Sequence, residues 1–175
     1  ILHYMQSISP HSSAVLNIDQ DHIDWHGTFE AYKQAKAKVY EGTRFSCIYN
    51  VADSLTEQLL EDADVVEGAR AIGFTVGAPS RSQIGYVEDI LCDRAFLEER
   101  ATKAIPLATF DDIAAIGVIT PHLLANIAAA SALARSYGVS HLAIAEAIRT
   151  FKLDAHRIEV VGEFAGITWI DDSKA

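Results

Sequence analysis

Glycine-rich phosphate cradles are missing from this 175-residue chain. No G-x-x-x-x-G-K-[ST] stretch and no G-x-G-x-x-G fingerprint occurs, so the residues present contain no recognisable cradle for a triphosphate. The nucleophile elbow G-x-S-x-G is absent as well. Cysteine is scarce: Cys47 and Cys92 are the two in the chain, which excludes a disulfide framework and predicts reduced, buried thiols in a cytosolic setting. Cations are in the minority, 14 Lys and Arg against 24 Asp and Glu for a formal charge of −10. That balance argues against a general nucleic-acid or anionic-membrane surface, because counterion release needs clustered Lys and Arg. No apolar run approaches the length needed to span a bilayer, and the N-terminus has no signal-type apolar core. The expectation is a soluble, cytoplasmic protein. Internal repeats and low-complexity tracts are lacking too.

What is present is a half-hydrophobic composition, enough for a real core in one domain or one domain plus a fragment. The chain opens on Ile1 without a starting Met and stops at Ala175, directly after Asp171-Asp172-Ser173-Lys174. Both ends read as cut from something longer.

The chemistry-bearing stretch is Asn17 to Tyr40. Ala14 to Ile18 is predicted as a short buried strand. The polar loop Asp19 to Gly27 follows, carrying Asp19, Asp21, His22, Asp24 and His26, and Thr28 is a candidate N-cap for the next helix. On a 3.6-residue wheel Phe29, Tyr32, Val39 and Tyr40 form one apolar stripe with Lys36 near its centre, while Lys38 points the opposite way. An inward lysine is costly as an ammonium ion, so Lys36 either loses its proton or finds a partner to offset its charge. The ordinary alternative is a buried stem whose ammonium snorkels to solvent.

Further along, Phe45 to Asn50 is predicted as a strand, Asp53 to Glu61 as a short helix and Ala71 to Val76 as a strand, an alternation that signals a parallel α/β sheet. Ile84 to Val87 and Ile90 to Cys92 pair around Glu88-Asp89 as an antiparallel insertion on the sheet edge. Thr120-Pro121 opens a helix that runs through the alanine-rich segment to stop at Gly138. A further helix spans Ser140 to Phe151, with Leu142, Ala145, Ile148 and Phe151 inward. Two strands, Arg157 to Phe164 and Ile167 to Ile170, then meet at Ala165-Gly166. The fold class expected is a partial Rossmann-like, mostly parallel sheet with flanking helices. Residues 1–154 form its domain, and residues 155–175 begin a second α/β domain with its first hairpin.

Three constellations could carry chemistry. The Asp/His loop lies just past a strand's carboxyl end, where open α/β sheets bind ligands, and its donors suit Mg²⁺ or Mn²⁺; a capped, solvated loop is the alternative. His122 and Asn126 share one face at a helix start, whose N–H groups and dipole attract anionic or polar ligands; a helix-start histidine and a satisfied amide are the alternative. Arg157 with Asp172, Ser173 and Lys174 forms a polar cluster whose ordinary reading is a solvated charge run.

Taken together, Asn17-Ile18, Asp21-His22-Ile23-Asp24, His26-Gly27, Tyr32, Ala35-Lys36 and Tyr40 resemble the central-domain signature of the Mur ligases. His156-Arg157-Ile158-Glu159 and Asp172-Ser173-Lys174-Ala175 resemble the same family. The Asp-Ser-Lys-Ala form is typical of the branch that adds D-glutamate to UDP-N-acetylmuramoyl-L-alanine. The resemblance implies an ATP-dependent amide ligase of peptidoglycan synthesis, acting through an acyl phosphate. It implies that His22 is a Mg²⁺ ligand and that Lys36 is a carbamylated lysine that helps place metal and phosphate. It further implies that Asn126, with His122 beside it, contacts adenine, that Arg157 and Asp172 lie near the ATP phosphates and ribose, and that Lys174 lies near the phosphates.

Carbamylation suits an inward lysine, since only a neutral amine reacts with CO₂ and burial favours neutrality. Leu123 departs from the branch, which often has Asn there. The phosphate loop, the UDP-binding domain and most of the D-glutamate-binding domain are absent from these residues, so the chain alone is expected to be inactive. Its open sheet edges would favour dimerisation or strand exchange. A non-catalytic metal-binding or scaffold domain and a metal-dependent hydrolase remain the alternatives of other classes.

Overall fold

The computed structural model describes residues 4, 7–20, 23–155, 157 and 159–173. Eight strands and six helices follow one another among the described residues. The strands are β1 (Ser12–Ala14), β2 (Ser46–Asn50), β3 (Arg70–Phe74), β4 (Gln83–Val87), β5 (Ile90–Asp93), β6 (Ile105–Thr109), β7 (Glu159–Phe164) and β8 (Ile167–Asp171). The helices are α1 (Ile23–His26), α2 (Phe29–Ala37), α3 (Ser54–Glu61), α4 (Phe110–Ala114), α5 (Pro121–Ser136) and α6 (His141–Thr150). Strands β1 to β6 form one sheet in sequence order, and β7 with β8 forms a separate hairpin. The pairs from β1 through β4 are parallel, whereas β5 runs antiparallel to both β4 and β6. The expected mostly parallel α/β sheet is therefore present.

Alternation along the strands feeds two cores. Ile48, Ile72, Phe74, Ile84 and Leu91 pack with Ala128, Ala129 and Ala132 of α5 and with Ile144 and Ile148 of α6. Cys47, one residue from Ile48, faces the other side with Val15, Ile18, Tyr32, Tyr40 and Leu59. The small alanine side chains let α5 lie close against the sheet, and helices cover both faces, as a parallel sheet requires. Both cysteines are buried and unpaired in disulfide terms, and burial pushes the Cys47 and Cys92 thiols up.

The β3–β4 connection needs no crossover helix. Only Gly73 and Phe74 pair with Gln83 and Ile84, so β4 begins where β3 ends and carries the sheet onward. The intervening loop folds against β4, with Tyr86 donating its N–H to the Gly77 carbonyl at 2.8 Å. Gly85 is needed there because a Cβ would come within 2.5 Å of that oxygen.

Several expectations change. The first strand is Ser12–Ala14 rather than Ala14 to Ile18; Val15 and Ile18 are buried but belong to the strand's exit. The β4–β5 pair is the expected antiparallel insertion, and β6, which was not expected, pairs antiparallel with β5 as the last strand of the sheet. Pro106 hides β6 in the sequence, because proline cannot donate to a ladder and is confined to edges and bulges. Helix α4 was not anticipated either; its Thr109–Asp112 capping box holds it. On α6 the inner positions are Ile144, Ala145 and Ile148, while Leu142 and Phe151 are exposed. Among the described residues no helix is long and apolar enough to cross a membrane.

Candidate functional site

The exit of β1 is fastened to the end of β2. Val15 extends the ladder by one bond, its N–H reaching the Ile48 carbonyl at 3.1 Å. The Leu16 carbonyl then accepts from Asn50 Nδ2 at 2.9 Å, and the Ile18 N–H donates to Asp53 Oδ2 at 2.7 Å. Asp53 uses its other oxygen to cap α3, accepting from the Leu55 N–H at 3.0 Å. One carboxylate therefore fixes both a helix start and the path of the chain leaving β1. Asn50 and Asp53 were not singled out as site-building residues from sequence; the capping position of Asp53 was the one available signal.

The loop beyond this anchor is partly helical. Helix α1 brings His26 edge-on to Trp25 and to Tyr32, Gly27 takes a positive φ of 79°, and Thr28 caps α2 by accepting from the Ala31 N–H at 3.1 Å. Helix α2 ends at Ala37, so Val39 and Tyr40 are not on its wheel. Its buried positions are Tyr32 and Ala35. Tyr40 is instead carried inward by the turn after the helix, donating its hydroxyl to the Ile48 carbonyl at 2.8 Å. Lys36 is half-buried, as is Lys38, which does not point squarely away. The Lys36 Nζ stands 5.5 Å from the centroid of the Tyr32 ring, a cation–π contact that tolerates a charge in a partly apolar setting.

Asp21 and His22 lie outside the described residues. Among the described residues no three His, Cys, Asp or Glu side chains gather as a metal set. Asp19, Asp24 and His26 are donors of the kind a hard divalent cation uses, but they do not themselves assemble one.

Helix α5 runs against the direction of the parallel strands. Its C-terminal Arg135 pairs with Asp93 at the amino edge of the sheet, at 2.8 Å. Its first turns lie at the carboxyl edge, where the Tyr86 hydroxyl of β4 donates to the Leu124 carbonyl at 2.9 Å. Burial pushes that hydroxyl well above the usual tyrosine range. Thr120 caps the helix by accepting from the Leu123 N–H at 3.2 Å, with Pro121 next. His122 and Asn126 are exposed on the helix surface, whereas Leu123 is buried. Asn126 lies at a cavity of about 370 Å³ between α5 and α6, together with Leu123, Ile127, Ala130, Ile148 and Phe151.

Arg157 precedes β7 and Asp172 follows β8, and the pairing of Glu159 with Asp171 puts both at the open end of the hairpin. Both residues are exposed. Lys174 and His156 lie outside the described residues. The sheet thus brings the β1 exit and the α5 start to one edge, while Arg157 and Asp172 belong to the separate hairpin.

Residues 2–134 match the family described as the Mur ligase middle domain. The UDP-N-acetylmuramoylalanine--D-glutamate ligase of Leifsonia xyli subsp. xyli is 53% identical over 168 residues, 96% of this chain and 32% of that protein. The ligase of the same name from Streptomyces avermitilis is 52% identical over 174 residues, 99% of this chain and 37% of that protein. The chain therefore spans about a third of the length of these relatives. Among solved structures, MurF from Acinetobacter baumannii superposes with a TM-score of 0.63 at 17% identity, covering 94% of this chain and 34% of that one. MurF ligase from Thermotoga maritima in complex with ADP gives 0.57 at 19%, covering 93% and 35%. At such identities the likeness is one of fold.

Proposed function

The chain belongs to the Mur ligase family through its middle domain, and from that premise we propose that it is part of an ATP-dependent ligase. That ligase joins D-glutamate to UDP-N-acetylmuramoyl-L-alanine in the cytoplasm, through an acyl-phosphate intermediate. The observation that carries the reading is the match along 96% of the chain, at 53% identity, to a ligase named for that product. The activity is assigned to a protein that contains this chain, since the relatives are about three times longer.

Within that reading the carboxyl edge is the nucleotide side. Asn126 and His122, at the first turns of α5, face the adenine, and the helix N-terminus favours a polar or anionic ligand. Arg157 and Asp172 lie by the phosphates and ribose, and Lys174 adds a cation near the phosphates. Bound Mg²⁺ would neutralise charge on the transferring phosphoryl group. His22 and a carbamate on Lys36 would hold that ion; Lys36 projects from the helix that follows the loop, half-buried beside Tyr32. A domain division near Ala155 would let the hairpin residues move onto the edge with the rest of their domain.

The test uses the full-length ligase carrying this sequence. Phosphate release should require ATP, Mg²⁺, UDP-N-acetylmuramoyl-L-alanine and D-glutamate together, and Lys36→Ala should lower kcat on the order of a hundredfold, as loss of a pre-organised electrostatic group does. Intact mass in bicarbonate and Mg²⁺ should show an added carbamate that Lys36→Ala removes. Turnover with another amino acid in preference to D-glutamate would overturn the substrate; an unmodified lysine with an unchanged kcat in Lys36→Ala would overturn its role.

A further inference from the structure

The opposite, amino edge of the sheet holds a pocket of about 290 Å³ whose polar lining is dominated by guanidinium groups. Arg70 comes from the first residue of β3, Arg100 from the loop between β5 and β6, and Arg135 from the last turn of α5, with the Phe45 and Phe96 side chains also on the lining. This is a local reversal of sign in a chain of net charge −10.

The three arginines are not equally occupied. Arg135 is consumed by structure: its Nε meets Asp93 at 2.8 Å and its two Nη groups donate to the Val139 and Phe96 carbonyls at 2.7 and 3.3 Å. Asp93 is saturated in turn, since its second oxygen takes the Ala95 and Phe96 N–H groups at 2.7 and 2.9 Å. Arg70 gives one Nη to the Ala95 carbonyl at 2.6 Å, and its guanidinium carbon lies 5.4 Å from the Phe96 ring centroid. Arg100 is different. Its Nε is buried and has no hydrogen-bond partner among the described residues. A buried donor left unsatisfied costs its full desolvation, and more so on a charged group. The neighbouring Glu99 is already paired with Lys103 at 2.8 Å, so Glu98, exposed on the pocket's lining, is the carboxylate left there to compete.

We propose that this pocket is an anion site for the phosphate group of a small molecule, held by Arg100 and Arg70. A tetrahedral dianion offers several acceptor oxygens to the terminal nitrogens of two guanidinium groups and its charge offsets the cost of the partly buried Arg100, and Arg suits phosphate because its planar fork binds two oxygens at once. The two cations already sense one another: burial first, and the Arg100 charge second, hold Arg70 below its ordinary range, with Asp93 acting the other way. An anion between them relieves that repulsion. The site lies at the other end of the sheet from the proposed nucleotide edge and does not depend on that function.

Inorganic phosphate is the probe, titrated at constant ionic strength against chloride into the full-length protein carrying this sequence, with ADP saturating, and followed by calorimetry and by thermal unfolding. The expected result is saturable binding with a rise in Tm. Arg100→Gln should weaken it about tenfold, the loss of one charge-assisted donor group, with little change in Tm without phosphate. Glu98→Gln should tighten it. A linear, unsaturable response in the wild type, equal binding by Arg100→Gln, or citrate binding at least as tightly as phosphate would each overturn the proposal.

Discussion

At the amino edge of the sheet guanidiniums do the fastening, whereas at the carboxyl edge the work falls to a carboxamide, two carboxylates and a phenol. Arg70, Arg94 and Arg135 donate to the Ala95, Pro79 and Val139 carbonyls at the first edge. At the second, Asn50 and Asp53 hold the β1 exit, Asp112 caps α4 and Tyr86 ties down α5. The difference is one of charge and of what remains available. The amino edge spends its cations on backbone carbonyls that a long charged side chain can reach from a distance. The carboxyl edge is held by side chains close to their own strands, and there His122 and Asn126 are exposed on the surface of α5.

The sharpest way to break this contrast is at Asp93, which is fully buried beneath Arg135. Asp93→Ala strands a buried guanidinium and two backbone N–H groups, and should cost about 3–5 kcal/mol, since removing one partner of a buried pair exposes the other's desolvation. Urea unfolding should show a lower midpoint, with the unfolding free energy extrapolated to water reduced by that amount. An effect under about 1 kcal/mol would mean that the pair behaves as an exposed surface pair does.

Asp53 is the carboxyl-edge counterpart. Asp53→Ala removes the α3 cap and the hold on Ile18 together, for about 2 kcal/mol from a lost cap plus a lost hydrogen bond. Hydrogen exchange should then quicken at the Ile18 amide and in the first turn of α3 alone. If the whole sheet exchanged faster, Asp53 would be a global support and the contrast between edges would fail.

How much of this was legible depended on whether the signal was local. Thr28, Asp53, Thr109 and Thr120 are capping residues that a sequence declares within three or four positions, and of the helices they begin only the one after Thr109 went unread. The Glu88-Asp89 and Ala165-Gly166 turns were equally plain. The wheel over Phe29 to Tyr40 misleads because no Gly or Pro marks the end of α2 before Gly42, so it counts Tyr40 as helical where a turn buries it. Helical periodicity puts Leu142 inward with Ala145 and Ile148, but the helix rotation set by Ile144 and Ile148 leaves it outside. The arginine pocket had no signal at all: its members are 30 and 35 positions apart (Arg70 to Arg100 to Arg135) and meet only once β3, the β5–β6 loop and α5 are in place. The proposed nucleotide edge is readable only because the family's motifs resemble residues here; periodicity alone leaves Lys36 a snorkelling cation as readily as a neutral or partnered one.

A smaller effect is expected at Tyr86. Tyr86→Phe keeps the ring, which lies 5.7 Å from Phe110, and deletes only the bond to the Leu124 carbonyl. The cost should be about 1 kcal/mol, the usual net worth of one hydrogen bond. The readout that matters is local: Asn126 and His122 should show altered amide shifts while the Arg135 end of α5 stays fixed. Equal shifts along the helix would mean that α5 moves as a rigid rod and that its two ends are not held separately.

The least effect, and the only one tuned by pH, belongs to Asp112. The Thr109 N–H first, and the Arg149 guanidinium at 2.7 Å next, hold its carboxyl below the ordinary range. A carboxyl whose folded pKa is depressed contributes stability above its unfolded value, roughly pH 4, and loses it as the pH falls through the folded value. Asp112→Asn can still accept from Thr109 but carries no charge, so at neutral pH it should be less stable by about 0.5 kcal/mol, the scale of a carboxylate at a helix start. The two proteins' stability curves should converge as the solution is acidified below roughly pH 4. A gap that persisted into acid would show that the shape of the side chain and not its charge holds α4, and that the carboxyl edge relies on hydrogen bonds whose strength no titration alters.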